Sequence, residues 1–229
     1  MLQLLKMDKK VNQIHSRFLT KIIKPLALLK FKLVEQLAMD NDVNDLLKEA
    51  EDLSIAFNHF PEINKLEGLN REKMKKESLP YQIMFDLGNG SKHGGTDLRK
   101  IEEQNSLHIG SAFEINEKMQ FGFLGNEIYI KHFKGRFDFL ETAISAATYI
   151  GNLIKIKTDI MHEPRMAKLF TEEVALKVST KYQFSFSSWS FHFYRRDSNG
   201  VLLPSDLNGS ATIKLWTSFT SDSNGFRWE

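Results

Sequence analysis

The sequence predicts an α+β protein: a mainly α-helical bundle carrying an inserted β-hairpin, followed by a small antiparallel β-sheet domain rich in aromatics. Three observations predict it. Apolar residues recur at helical spacing over the first ninety or so positions and again from Asp138, which gives helices one buried face each. Between them, from Leu98, the apolar period falls to two, the signature of strands. At His162-Glu163-Pro164 the composition shifts to aromatics with Ser and Thr, and such a shift marks a boundary. Two domains are expected: residues 1–160 for the bundle, with its hairpin at about 99–133, and residues 161–229 for the sheet.

Each element has a local reason. Val11, Ile14, Phe18 and Ile22 share one helical face, and Pro25 should break or kink that helix before residues 26–39 resume it. A second helix over 44–60 follows, with Leu46, Leu47, Ala50, Leu53 and Phe57 as its stripe and Pro61 as its stop. Ser78-Leu79-Pro80 opens a helix whose core side is Ile83, Met84 and Leu87 and which ends at His93 before Gly94-Gly95. Phe113 and Ile115, Phe121 and Phe123, and Ile128 and Ile130 alternate as strands across turn signals at Glu117-Lys118 and Gly125-Asn126. The helix from Asp138 to about Ile160 carries Ala143, Ala146, Ala147 and Gly151, small enough for another helix, or another chain, to approach. In the last segment Tyr182, Phe184 and Phe186 lie on one parity but Trp189, Phe191 and Phe193 on the other, so a bulge near Ser187-Ser188 should reset the register.

Composition narrows the chemistry. The 229 residues contain no Cys, which removes disulfides, thiolate zinc sites and a Cys nucleophile and suits a reducing compartment, so a cytoplasmic location is expected. The N-terminal apolar run is too short for a signal peptide, the most apolar later segment carries Asp138, Glu141 and Lys155, and no membrane partner is expected. Net charge is only +2, but residues 1–34 are basic and 35–67 acidic, a pattern that fits mutual neutralisation between neighbouring helices before it fits a phosphate-binding face. No His lies at metal-ligand spacing, and no metal or cofactor is expected.

The densest chemistry is the helix end Asp86-Leu87-Gly88-Asn89-Gly90-Ser91-Lys92-His93. Positions 86, 89 and 93 share a helical face, so an acid, an amide and an imidazole converge, with Lys92 one step round. Gly88 and Gly90 each weaken that helix by about 1 kcal/mol relative to Ala, a cost that suggests close approach of a backbone or a ligand. On this reading His93 is the general acid/base, Lys92 balances phosphate charge, Asn89 and Asp86 orient the imidazole, and Gly88, Gly90 and Ser91 line the ligand. The competing reading is structural: His93 and Lys92 answer the helix dipole, and the glycines admit a packed neighbour.

The Asn-Gly-x-Lys-His helix end formed by Asn89, Lys92 and His93, followed by a hairpin and then by Phe137-Asp138-Phe139-Leu140-Glu141 at a helix start, resembles a group of uncharacterised bacterial and phage-associated proteins. Over residues 1–160 their layout is similar to HEPN helical domains, many of them dimeric RNases of defence and toxin systems. The resemblance implies a homodimer with the two His93 ends at a shared cleft and a metal-independent ribonuclease acting on RNA in a defence or toxin–antitoxin setting. HEPN RNases pair an Arg with the His; no Arg stands between Asp86 and His93, and Lys92 would take its place. The alternative is a non-catalytic binding or assembly module that uses the same helix end as a dimer or ligand interface and the aromatic sheet to recognise a partner protein.

Overall fold

The computed structural model describes residues 11–35, 43–64, 70–92, 105–158, 166–167, 169–171, 174–180, 190–205 and 213–219. Five helices and eight strands occur among them. Helix α1 runs over 11–35 and contains two π-helical turns, Leu19–Ile23 and Phe31–Glu35. Pro25 does not break it. The π turn just upstream, closed by the Lys24 N–H on the Leu19 carbonyl, absorbs the irregularity that a proline imposes on an α-helix. Helix α2, Val43–Asn64, likewise continues three residues past Pro61. Helix α3, Arg71–Glu77, is capped by Asn70, whose side chain accepts from the Lys73 N–H at 3.1 Å. Helix α4, Leu79–Lys92, starts on Ser78, whose Oγ accepts from the Tyr81 N–H at 3.3 Å.

Strands β1, Asn105–Ile115, and β2, Phe121–His132, are joined by a turn in which the Asn116 side chain accepts from the backbone N–H groups of Lys118 and Gln120. Strand β3, Gly135–Asp138, leads into helix α5, Phe139–Leu153, where Asp138 caps the Glu141 N–H at 2.8 Å. Helix α5 stops short of Ile160: Lys155 is left-handed (φ 59°), and the Ile156 N–H turns back to the Gly151 carbonyl. Then come β4, Phe170–Thr171, β5, Val174–Thr180, β6, Ser190–Arg196, β7, Leu202–Pro204, and β8, Ile213–Phe219.

The expected fold class does not hold. In place of a helical bundle followed by a separate antiparallel sheet, the hairpin strands sit inside a mixed sheet of order β3-β2-β1-β6-β7, with β4 on β2. Strand β6 pairs parallel to β1, Gly110 opposite Ser190 through Glu114 opposite Tyr194, and β5 pairs parallel to β8. The physical reason is that alternation reports which face a side chain takes, not the direction or identity of the partner strand. The expected bulge at Ser187-Ser188 lies outside the described residues. Gly125 (φ 123°), read from sequence as a turn, stays within β2.

The chain forms two compact units interleaved along the sequence. The first comprises Met1–Lys30, Lys48–Leu107 and Ile130–Glu163, the second Phe31–Leu47, His108–Tyr129 and Pro164–Glu229. In the first, α5 packs on α4 and on the 24–30 part of α1, around fully buried Phe18, Phe57, Tyr81 and Phe139. The small residues of α5, Ala143, Ala146, Ala147 and Gly151, are buried in this unit's own core instead of being presented to a second chain. In the second, one sheet face is an aromatic layer: the Phe113 ring lies 5.5 Å from Phe123 and 5.8 Å from Phe193, and Phe121 meets Phe193 edge-on at 5.9 Å. No helix among the described residues is long and apolar enough to cross a membrane.

Candidate functional site

The helix end singled out from sequence divides when seen in three dimensions. His93 lies outside the described residues, and Ser91 and Lys92 are the last two residues of α4. Asn89 is exposed. Gly88 is buried where α4 crosses α2: a Cβ there would come within 2.6 Å of the Ser54 carbonyl carbon, so this glycine serves close helix packing. Gly90 has no such neighbour within 4 Å. Beside the crossing, the Asn58 amide donates to the Phe85 carbonyl at 3.2 Å.

Asp86 turns to an imidazole outside the helix end, that of His132. Its Oδ2 lies 3.4 Å from His132 Nε2 at the end of β2. His132 Nδ1 accepts the backbone N–H of Lys134 at 3.2 Å, which puts the neutral ring's proton on Nε2, facing Asp86. With both nitrogens engaged, the side chain fully buried and its pKa lowered by burial against the pull of Asp86, His132 holds α4 to β2 and has no nitrogen to offer a substrate.

A second polar cluster lies in the other unit, on the sheet face opposite the aromatic layer. Register puts His108, Gly110, Ala112 and Glu114 of β1 on one face with Ser190, His192, Tyr194 and Arg196 of β6. Strand β2 adds Glu127 and Tyr129. Phe121 and Phe123 of β2 point to the aromatic face, so parity inverts between 123 and 127, where Gly125 takes the positive φ of a bulge.

Because Gly110 and Ala112 have almost no side chain, groups from the outer strands meet across the middle one. Tyr129 Oη and Ser190 Oγ are 3.0 Å apart, and Glu127 Oε1 pairs with His192 Nδ1. Glu127 Oε2 accepts from the Tyr194 hydroxyl at 3.4 Å. The Glu127 side chain is 6% exposed and that of His192 17%. Pinned by Glu127, the Nδ1 proton leaves the lone pair of the neutral ring on Nε2, and burial lowers the His192 pKa, which favours that neutral form. The Tyr129 ring stacks on His108 (4.9 Å, 11°) and meets His192 edge-on (5.6 Å). Arg196 forks onto Glu114 at 3.0 and 2.7 Å and donates to the Gly200 carbonyl, so its charge is matched within the sheet and its pKa is raised. Among the described residues no group of three or more His, Asp or Glu is arranged to hold a metal ion.

Comparison with protein-family models, with curated proteins and with solved structures gives no match. The class that fold and site define is therefore drawn from the chain alone: a mixed-sheet α+β protein with a carboxylate-held imidazole on its polar sheet face.

Proposed function

We propose that this protein is an RNA-directed hydrolase that works by acid–base catalysis, with His192 as its proton-accepting group and Glu127 as the positioning residue. The single observation that supports the reading is the Glu127–His192 pair: a nearly buried carboxylate fixes one tautomer of a partly exposed imidazole, as a general base requires. In RNA the 2'-hydroxyl is the internal nucleophile. His192 Nε2 takes its proton as O2' bonds to phosphorus, the P–O5' bond breaks, and the leaving O5' takes a proton from solvent water. The imidazole does this without a metal. The reaction class is that expected from sequence; its seat moves from the end of α4 to the sheet. A cytoplasmic setting agrees with the absence of Cys.

The second reading, a non-catalytic binding module, draws on the closed pairing of Arg196 with Glu114 and of Glu127 with two donors, an arrangement that also makes a rigid polar surface. Cleavage of single-stranded RNA by the full chain in excess chelator separates the two. Wild type should cut, His192→Gln should be slower by roughly 10²–10⁴-fold, and Glu127→Gln should lower kcat with little change in KM. Intact RNA with folded wild type, or equal rates for wild type and His192→Gln, removes the hydrolase.

A further inference from the structure

We infer that the turn between β2 and β3 is a docking surface for single-stranded nucleic acid, with Phe133 as a stacking platform for a base and Lys131 and Lys134 as partners for the flanking phosphates. This surface lies apart from the Glu127–His192 pair, and it rests on the RNA-directed reading only for the choice of nucleic acid among polyanions. Between Ile130 and Phe137 the chain carries Lys131, Lys134 and Arg136 and no acidic residue. Strand β2 ends at His132 and β3 begins at Gly135, so Phe133 and Lys134 form the turn itself. Gly135 closes it at φ 132°, a conformation that other residues rarely adopt.

Phe133 is 58% exposed. Lone apolar side chains are common on protein surfaces, but this ring has a fixed support. The His132 ring lies 4.2 Å from it, and His132 is itself buried and tied both to Asp86 and to the Lys134 N–H. The aromatic surface is therefore held in place before any partner arrives, and binding to it would cost little ordering. Alternation along β2 puts exposed Lys131 on the same side as Phe133, opposite buried His132. Lys134 is exposed as well; its Nζ lies 5.7 Å from the Phe133 ring centroid and donates to the Gln82 amide oxygen at 2.7 Å. That partner is neutral, so the charge is held beside the ring without being cancelled there. The Asp86 carboxylate is engaged by His132. An exposed ring flanked by two cations matches a base flanked by its phosphates. Bases of a duplex already stack on one another, so the ring selects single strands. A lipid surface would call for a wider apolar face than one ring supplies.

Fluorescence anisotropy of the full chain with a labelled oligothymidylate of about 12 nucleotides tests the surface. DNA lacks the 2'-hydroxyl nucleophile, so this probe stays uncut and reports binding whatever the Glu127–His192 pair does. Wild type should bind it with an affinity that falls as salt rises. Phe133→Ala should bind roughly 5–150-fold more weakly with an unchanged salt slope. Phe133→Leu should resemble it, since leucine is apolar but offers no π face, whereas Phe133→Trp should bind at least as tightly as wild type. Lys131→Gln should flatten the slope of log affinity against log salt by roughly 0.7, the share of one phosphate contact on a single strand. No binding by wild type at low salt, equal affinity in wild type and Phe133→Ala or Phe133→Leu, or a duplex bound as tightly as the single strand overturns the inference. So does wild-type binding to phosphatidylserine vesicles in place of the oligonucleotide. RNA cleavage by wild type with unaltered affinity in the Phe133 variants overturns the surface and leaves the hydrolase standing; oligothymidylate bound as expected while RNA stays intact removes the hydrolase and supports the surface.

Discussion

Gly88 and Gly90 occupy one helix two residues apart, yet alanine at the two positions should move stability in opposite directions. Replacing an interior helical glycine by alanine favours the folded helix by about 1 kcal/mol. At Gly90 nothing lies within 4 Å of the new Cβ, so that gain should appear almost undiminished, raising Tm by about 2–4 °C for a chain of this size. At Gly88 the new carbon would come 2.6 Å from the Ser54 carbonyl carbon and 3.0 Å from the Ile55 nitrogen. Those are backbone atoms of α2, which cannot swing aside as a side chain would. The helices must separate at the crossing, and overpacking of this kind costs about 1–3 kcal/mol. It would also strain the Asn58–Phe85 hydrogen bond beside the crossing. Net of the propensity gain, Gly88→Ala should be neutral to about 2 kcal/mol destabilising, with the Gly90→Ala difference adding to the contrast. Urea unfolding of the two variants against wild type measures it. Equal stabilisation by both would refute the packing role of Gly88, and destabilisation by Gly90→Ala would refute its open surroundings.

Other consequences are as direct. Ala112 is fully buried beneath the Glu127–His192 pair, so Ala112→Val should cost about 1–3 kcal/mol by overpacking and depress RNA cleavage, whereas Ala112→Gly should spare the pair; equal activity in Ala112→Val and wild type would count against the cross-strand geometry. Glu114→Gln leaves the Arg196 guanidinium, 20% exposed, without its carboxylate and should cost about 2–3 kcal/mol in chemical denaturation, where a loss under 0.5 kcal/mol would mark the pair as dispensable. Burial lowers the pKa values of His132 and His192 below the unfolded value near 6.5. Below that pH the unfolded chain binds more protons than the folded one. Stability is thus complete above about pH 6.5 and falls as pH drops towards the folded values, by at most about 1.4 kcal/mol per pH unit per histidine. Unfolding free energies at pH 7.5, 6.5 and 5.5 should show the decline, and a flat profile would argue against neutral buried rings.

Local structure was the more legible part of this chain because its signals are short-range. Ser78 and Asp138 cap the helices they precede, and the 3.6-residue period of α1 places Ile14, Phe18 and Ile22 in the core. Prolines misled in one direction only. Pro25 read as a break or kink and Pro61 as a stop, yet a π turn accommodates the first and α2 runs on past the second. The sheet was illegible for a different reason. Strand β6 finds its parallel partner β1 some eighty residues upstream, and period-two alternation is identical for a strand paired in either direction with any neighbour.

That same blindness hid the polar face. Ser190, His192, Tyr194 and Arg196 occupy one parity of β6, and His108, Gly110, Ala112 and Glu114 one parity of β1. Each set is visible in the sequence, but the stronger local signal on β6 is the aromatic parity of Phe191 and Phe193. Only juxtaposition makes the two sets a site, and juxtaposition depends on two small residues whose significance cannot be read locally. With larger side chains at 110 and 112, Glu127 would not reach His192, nor Tyr129 Ser190. The helix end at 86–93 attracted notice because its polar residues are adjacent in sequence, yet Gly88 is explained by helix packing and Asp86 by its contact with His132. Density of ionisable residues along a chain marks helix ends and turns as readily as chemistry. A carboxylate and an imidazole brought together from strands sixty-five residues apart, over a floor kept clear by Gly110 and Ala112, form a more specific arrangement, because three strands must agree in register to make it.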